Sequence, residues 1–138
     1  MTAKEYLCQA YWLDRRIDSK LEQLSALRDT TTKANAVMSD VVVTRSRNMQ
    51  SLQDTIAKIV DMENELDKDI DMLVDLKRDM MSLIKEVKNP EYQTLLELRY
   101  LCFKSWDYIA EVMGYSINNV FKIHAKALRN IRLPETLQ

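Results

Sequence analysis

The sequence predicts an all-α fold: a long antiparallel helical hairpin or coiled coil, followed by a C-terminal three-helix unit with one tight turn. Three observations predict it. The 138 residues include one glycine and two prolines, against 46% apolar and 30% charged residues, which is the balance of long amphipathic helices rather than of a sheet protein. Apolar residues recur at steps of three and four along most of the chain, the period of a helix face. The lone glycine, Gly114, falls between two short helical stretches, where a left-handed residue turns the backbone at no steric cost.

The first helix is expected from about Thr2 to Asp29. Thr2 caps it and Glu5, three residues on, is the reciprocal partner. Leu7, Ala10, Asp14, Ile17, Leu21 and Leu24 form its stripe, with Asp14 as an interruption. Residues 30–48, rich in threonine and serine, lose the period and read as a mobile connection.

From Met49 to Lys88 the helical signal is strongest. Leu52, Ile56, Ile59, Glu63, Leu66, Ile70, Leu73, Lys77, Met80, Ile84 and Val87 alternate by four and three, a heptad seam with two charged residues at core-like positions. At about 1.5 Å per residue this helix reaches roughly 60 Å. The first helix is shorter by about a dozen residues, roughly 18 Å, so part of the seam stays uncovered in one chain and a homo-oligomer, a dimer first, is expected. Asp67, Asp71, Asp75 and Asp79 repeat at i, i+4 along this helix. They read as a solvated face, because oxygen-ligand cation sites gather around loops or converge from several segments.

Asn89-Pro90 ends the long helix and starts the next. The domain boundary is placed here: a hairpin or coil over 1–88 and a second domain over 89–138. Three helices are expected in it: Pro90 to about Leu101, with Leu95, Leu98 and Leu101 or Cys102 inward; Ser105 to about Met113, with Trp106, Ile109, Ala110 and Met113 inward; and, after Gly114 and Tyr115, a helix capped by Ser116 and running to about Arg132. Two short helices joined by a tight turn are the helix-turn-helix arrangement, whose second helix enters the DNA major groove.

That last helix sorts by angle. Val120, Ile123, Ala127 and Ile131 take one side; Asn118, Asn119, Lys122, Lys126 and Arg129 take the other. Asparagine pairs with adenine and lysine with guanine, and cations hold phosphates. No acid lies between Ser116 and Pro134, whereas residues 52–88 hold ten acids against six bases. The candidate DNA-binding residues are therefore Ser116, Asn118, Asn119, Lys122, Lys126 and Arg129, with Gly114 as the turn. Ile117 and Phe121 widen the apolar arc; they touch thymine methyls, or pack on the coil or a partner. His124, the sole histidine, lies near the apolar side and reads as a packed structural residue. Cys8 and Cys102 read as buried small apolar residues rather than a disulfide pair.

The stretch "LLELRYLCFKSWDYIAEVMGYSINNVFKIHAKALRNIR" resembles the DNA-binding region 4 of sigma-70-type factors. The match runs through Leu98-Arg99-Tyr100, Ser105, Ile109-Ala110, Gly114, Ser116, Val120, Ile123, Ala127-Leu128 and Arg129. With its coiled N-terminal half, the chain is similar to phage and prophage sigma-region-4-like proteins, akin to phage late-gene transcription activators. The resemblance implies binding to double-stranded promoter or operator DNA, and contact with RNA polymerase. Asn118, Asn119 and Phe121 stand where acids or arginines are common in that family, so the base sequence read is not inherited. Tyr108 replaces the usual acid after Ser105. Residues 1–88 offer no counterpart of the sigma region that melts DNA, so a complete sigma factor is not expected.

The expected function is a sequence-specific transcriptional regulator of phage or prophage genes. Two alternatives stand beside it: a coiled-coil module that binds RNA polymerase or another transcription factor, and a small packaging-type DNA recogniser. One histidine, no phosphate-cradling glycine loop and no cysteine–histidine cluster leave little with which to build a catalytic site. No enzyme, cofactor, metal or small-molecule substrate is expected. The apolar runs are far short of the roughly 20 residues a membrane span needs, and a cytoplasmic location is expected.

Overall fold

The computed structural model describes residues 1–38 and 45–138, and only the backbone at 35–38 and 45–48. Among these residues every regular element is helical. α1 spans Ala3–Met38, α2 Arg45–Lys85, α3 Pro90–Leu96, α4 Trp106–Met113 and α5 Ile117–Arg129. A wider helical turn, Glu97–Leu101, extends α3, and a short turn, Glu135–Leu137, lies near the C-terminus. Among the described residues no helix is long and apolar enough to cross a membrane.

α1 starts on the expected reciprocal cap. The Thr2 N–H donates to Glu5 Oε2 at 2.8 Å, and the Glu5 N–H donates to Thr2 Oγ1 at 3.2 Å. Its far end corrects the expected connection at 30–48. Residues 30–38 belong to α1 and 45–48 to α2, while 39–44, with the VVV run, lie outside the described residues. The hydroxyls of Thr30, Thr31 and Thr32 donate to the carbonyls of Ala26, Leu27 and Arg28 at 3.0, 3.0 and 3.1 Å. Bonding back one turn satisfies these hydroxyls without breaking the ladder, so dense threonine does not end the helix.

Packing divides the chain into two compact units: residues 1–14 with 73–138, and residues 15–72. These units do not follow a cut after residue 88, because Leu7, Ala10, Met80, Ile84 and Val87 belong to the same buried cluster as Leu95, Leu96 and Tyr100.

In the 15–72 unit, Ile17, Leu24 and Leu66 are buried. Lys20 forms an ion pair with the buried Asp69. Arg28 Nη2 lies 2.6 Å from Glu63 Oε1, so the acid at that seam position has a partner on α1. Leu21, Ile56 and Ile70, all expected in the seam, are exposed. The positions 3.5 residues apart drift around a straight helix, and one neighbouring helix covers only part of the arc.

In the other unit, α2 ends at Lys85, three residues before the expected Lys88. The Gln93 side-chain amide donates to the carbonyls of Lys85, at 3.1 Å, and Val87, satisfying groups that the helix end leaves open. Asn89 then caps α3, its Oδ1 accepting from the Glu91 N–H at 2.9 Å. α3 passes into the wider turn at Glu97, closed by the Cys102 N–H on the Glu97 carbonyl at 3.0 Å. Phe103 follows with φ of 57°, a left-handed conformation costing a non-glycine residue about 1–3 kcal/mol. Its ring meets Tyr11 edge-on at 5.8 Å, and Lys77 Nζ lies 4.6 Å from its centroid. These contacts offset the backbone cost.

α4 and α5 pack on each other, and α5 packs on α3. The inward residues Ile109, Ala110, Val120, Ile123, Ala127 and Ile131 are buried, as is Leu96. Both cysteines differ from the buried positions expected of them: Cys102 is exposed and Cys8 half-buried. α5 stops at Arg129, not Arg132. The Asn130 amide donates to the Lys126 carbonyl at 2.8 Å, and the Ile131 N–H takes the Leu128 carbonyl at 3.2 Å, so the last turn tightens before Pro134.

Candidate nucleic-acid interface

The turn between α4 and α5 is built from three residues. Gly114 has φ of 74°. The Tyr115 N–H reaches the Ala110 carbonyl at 3.0 Å and the Gly114 N–H reaches Glu111 at 3.3 Å, the paired bonds of a glycine-terminated helix. The Tyr115 hydroxyl donates to the Glu91 carboxylate, tying the turn to the first turn of α3. That bond, with the negative charge beside it, raises the Tyr115 pKa. Ser116 then caps α5, its Oγ accepting from the Asn119 N–H at 3.2 Å. Ser105 caps α4 in the same way, accepting from the Tyr108 N–H at 3.2 Å, so the loss of an acid at Tyr108 leaves this half of the cap intact.

Beneath α5 the support is aromatic. His124 is buried and its Nε2 lies 2.6 Å from the Tyr100 hydroxyl. Burial, then the positive charges of Lys4 and Arg99, lower its pKa to about 4. Burial raises Tyr100 to about 12. The neutral ring and the phenol therefore share a hydrogen bond whose donor is set by the imidazole tautomer. Trp106 stands edge-on to both His124, at 4.7 Å, and Phe121, at 5.3 Å. The Arg99 guanidinium covers Trp106 at 4.3 Å from its centroid, and its Nη1 donates to the Lys104 carbonyl at 2.9 Å. Arg99 is thus engaged with the chain itself.

The outward side of α5 carries the six expected residues. Ser116, Asn118, Lys122, Lys126 and Arg129 are exposed and Asn119 is half-exposed. The side chains of Asn118, Lys122, Lys126 and Arg129 make no hydrogen bond or ion pair to another described residue. Ala125 sits between them, exposed; Arg132, beyond the end of α5, lines a cavity with Glu86, Lys88 and Asn130 instead. Ala125 was not singled out in the sequence; a small residue on an exposed strip has no signature beyond its helical angle. The outward side of α5 thus carries three cations, Lys122, Lys126 and Arg129, and no acid.

Two further features lie elsewhere in the chain. A cavity of about 380 Å³ is lined by Cys8, Tyr11, Trp12, Arg99 and Phe103, which the heptad pattern did not reveal. Asp67, Asp71, Asp75 and Asp79 are each exposed on α2. Among the described residues no three His, Cys, Asp or Glu side chains converge as a metal-holding group.

No curated protein and no solved structure matches the chain. A family model does match, over residues 30–132, which includes α2 to α5. The chain belongs to the family described as "Protein of unknown function (DUF1492)".

Proposed function

We propose that the chain is a sequence-specific DNA-binding transcriptional regulator of phage or prophage genes, acting in the cytoplasm. In this reading α4, the Gly114 turn and α5 form a helix-turn-helix of the sigma-70 region-4 kind, preceded by an antiparallel helical hairpin. α5 is the recognition helix. Ser116, Asn118, Asn119 and Lys122 approach base edges, and Lys126 and Arg129 hold phosphates.

One observation carries the reading: the outward side of α5 is exposed, free of acids and supplied with Lys122, Lys126 and Arg129. Acids and bases both occur along α2, whereas this side of α5 carries bases alone. Exposed Leu21, Ile56 and Ile70 support a homodimer, and RNA polymerase is the expected protein partner. The exposed acids of α2 favour a second reading, in which the chain chiefly grips another transcription factor. A packaging-type DNA recogniser remains the third, and a ring-sized mass in solution is its signature.

Fluorescence anisotropy of the full chain on labelled promoter fragments tests the proposal. Salt-dependent binding is expected, weakened by K122E and K126E. Equal binding by wild type and both charge reversals removes α5 from the interface.

A further inference from the structure

The outward side of α5 holds two unlike ridges. Ile117, Phe121 and Ala125 succeed one another at i, i+4 and i+8, so they line up along the helix. Asn118, Lys122 and Lys126 form the neighbouring row, and Arg129 ends the first one. Phe121 is 45% exposed and Ile117 39% exposed. Phe121 is nonetheless held in place, because Trp106 meets it edge-on at 5.3 Å and Arg99 backs Trp106 from 4.3 Å. An aromatic ring fixed on one edge and open on the rest is a preformed apolar contact surface.

Resting on the DNA-binding reading above, we infer that this face selects A·T base pairs, with thymine methyl groups against Phe121 and Ile117 and adenine edges paired by Asn118. In the major groove an A·T pair presents the adenine N7 and N6 at one side and the thymine O4 and methyl group at the other. It therefore asks for an apolar surface next to an amide, which is the order of the two ridges. Cytosine offers an amino donor and calls for a carboxylate, and the helix has none. Guanine is best met by arginine; the arginines here, Arg129 and Arg132, come at and beyond the last turn. Lys122 is the one cation in the first two turns. The small Ala125 lets the groove wall approach. The cations on the same strip favour duplex DNA as the occupant over an apolar protein surface.

The test begins with duplexes selected from a random library by the full chain. The enriched half-site is expected to contain an A·T run. Replacing its thymines by deoxyuracil removes only the methyl groups, and each contacted position should weaken binding about fourfold, the worth of one buried methyl group. F121A should bind the thymine and uracil duplexes alike. F121L, a milder change that keeps an apolar filler against Trp106, should retain part of the discrimination. A G·C-rich selected site, or wild-type binding indifferent to uracil, overturns this inference while leaving DNA binding intact. Failure to enrich any duplex overturns the DNA-binding reading itself and this inference with it.

Discussion

The Tyr100 hydroxyl and His124 Nε2 lie 2.6 Å apart inside the core, beneath the helix that carries the candidate interface. The pair joins the wide turn after α3 to α5, and it makes stability depend on pH. The folded chain lowers the His124 pKa from 6.5 to about 4. Below pH 6.5 the unfolded chain takes up a proton that the folded chain refuses, so stability falls as pH drops from 6.5 to 4. The full loss is up to about 3 kcal/mol. Urea unfolding at pH 7 and 4.5 should show the wild type losing more stability than H124Q. Equal losses contradict a buried neutral imidazole.

G114A should destabilise the chain through the backbone alone. Beyond its own chain neighbours no heavy atom lies within 4 Å of where its methyl group would sit, while φ is 74°. The cost is then the left-handed strain, about 1–2 kcal/mol. G114N, which tolerates this region better, should cost less. A thermal melt ranking glycine above asparagine above alanine agrees with the turn; a G114A melt equal to wild type does not.

Local signals were legible in the sequence, and long-range ones were not. Thr2 and Ser116 cap where expected, and Asn89 and Ser105 cap helices at their expected starts, because capping needs only neighbours in sequence. Gly114 turns the chain for the same reason. Thr30, Thr31 and Thr32 misled, since their propensity argues against helix while their back-bonded hydroxyls permit it. The left-handed Phe103 was invisible: it is held by Tyr11 and Lys77, residues far away in sequence. Asp69 sits off the heptad seam, yet it is buried and pairs with Lys20 across the sequence. The α5 strip was legible by angle, and its residues lie outward. The aromatic stack of Arg99, Trp106 and Phe121 was not, because no period marks it.

The fragment 89–138 should not fold as a stable unit by itself. Leu7, Met80 and Ile84 are fully buried and share one cluster with Leu95, Leu96 and Ile109. Losing even one large buried side chain costs about 2–5 kcal/mol, against a typical domain stability of about 5–15 kcal/mol. Far-UV circular dichroism on heating should show a broad, low melt for 89–138 and a cooperative one for the full chain. A sharp transition of the fragment near the full-chain temperature would restore a boundary at residue 89.

The two kinds of polar residue on α5 should separate in DNA-binding measurements. Lys126 lies on the flank of the exposed strip, two turns from the N-terminus of α5, with no ion-pair partner among the described residues. As a phosphate contact it releases about one counterion, so K126A should weaken specific and random duplexes alike and lower the salt slope by about 1. Asn119 and Lys122 lie nearer the N-terminus of α5, where base edges are within reach of a docked recognition helix. N119A and K122A should narrow the gap between selected and random duplexes, by about 1–3 kcal/mol for a contact made bidentately. Titrations at several salt concentrations check both. If K126A alters the ranking of sequences, or N119A and K122A leave it unchanged, the helix docks in another register.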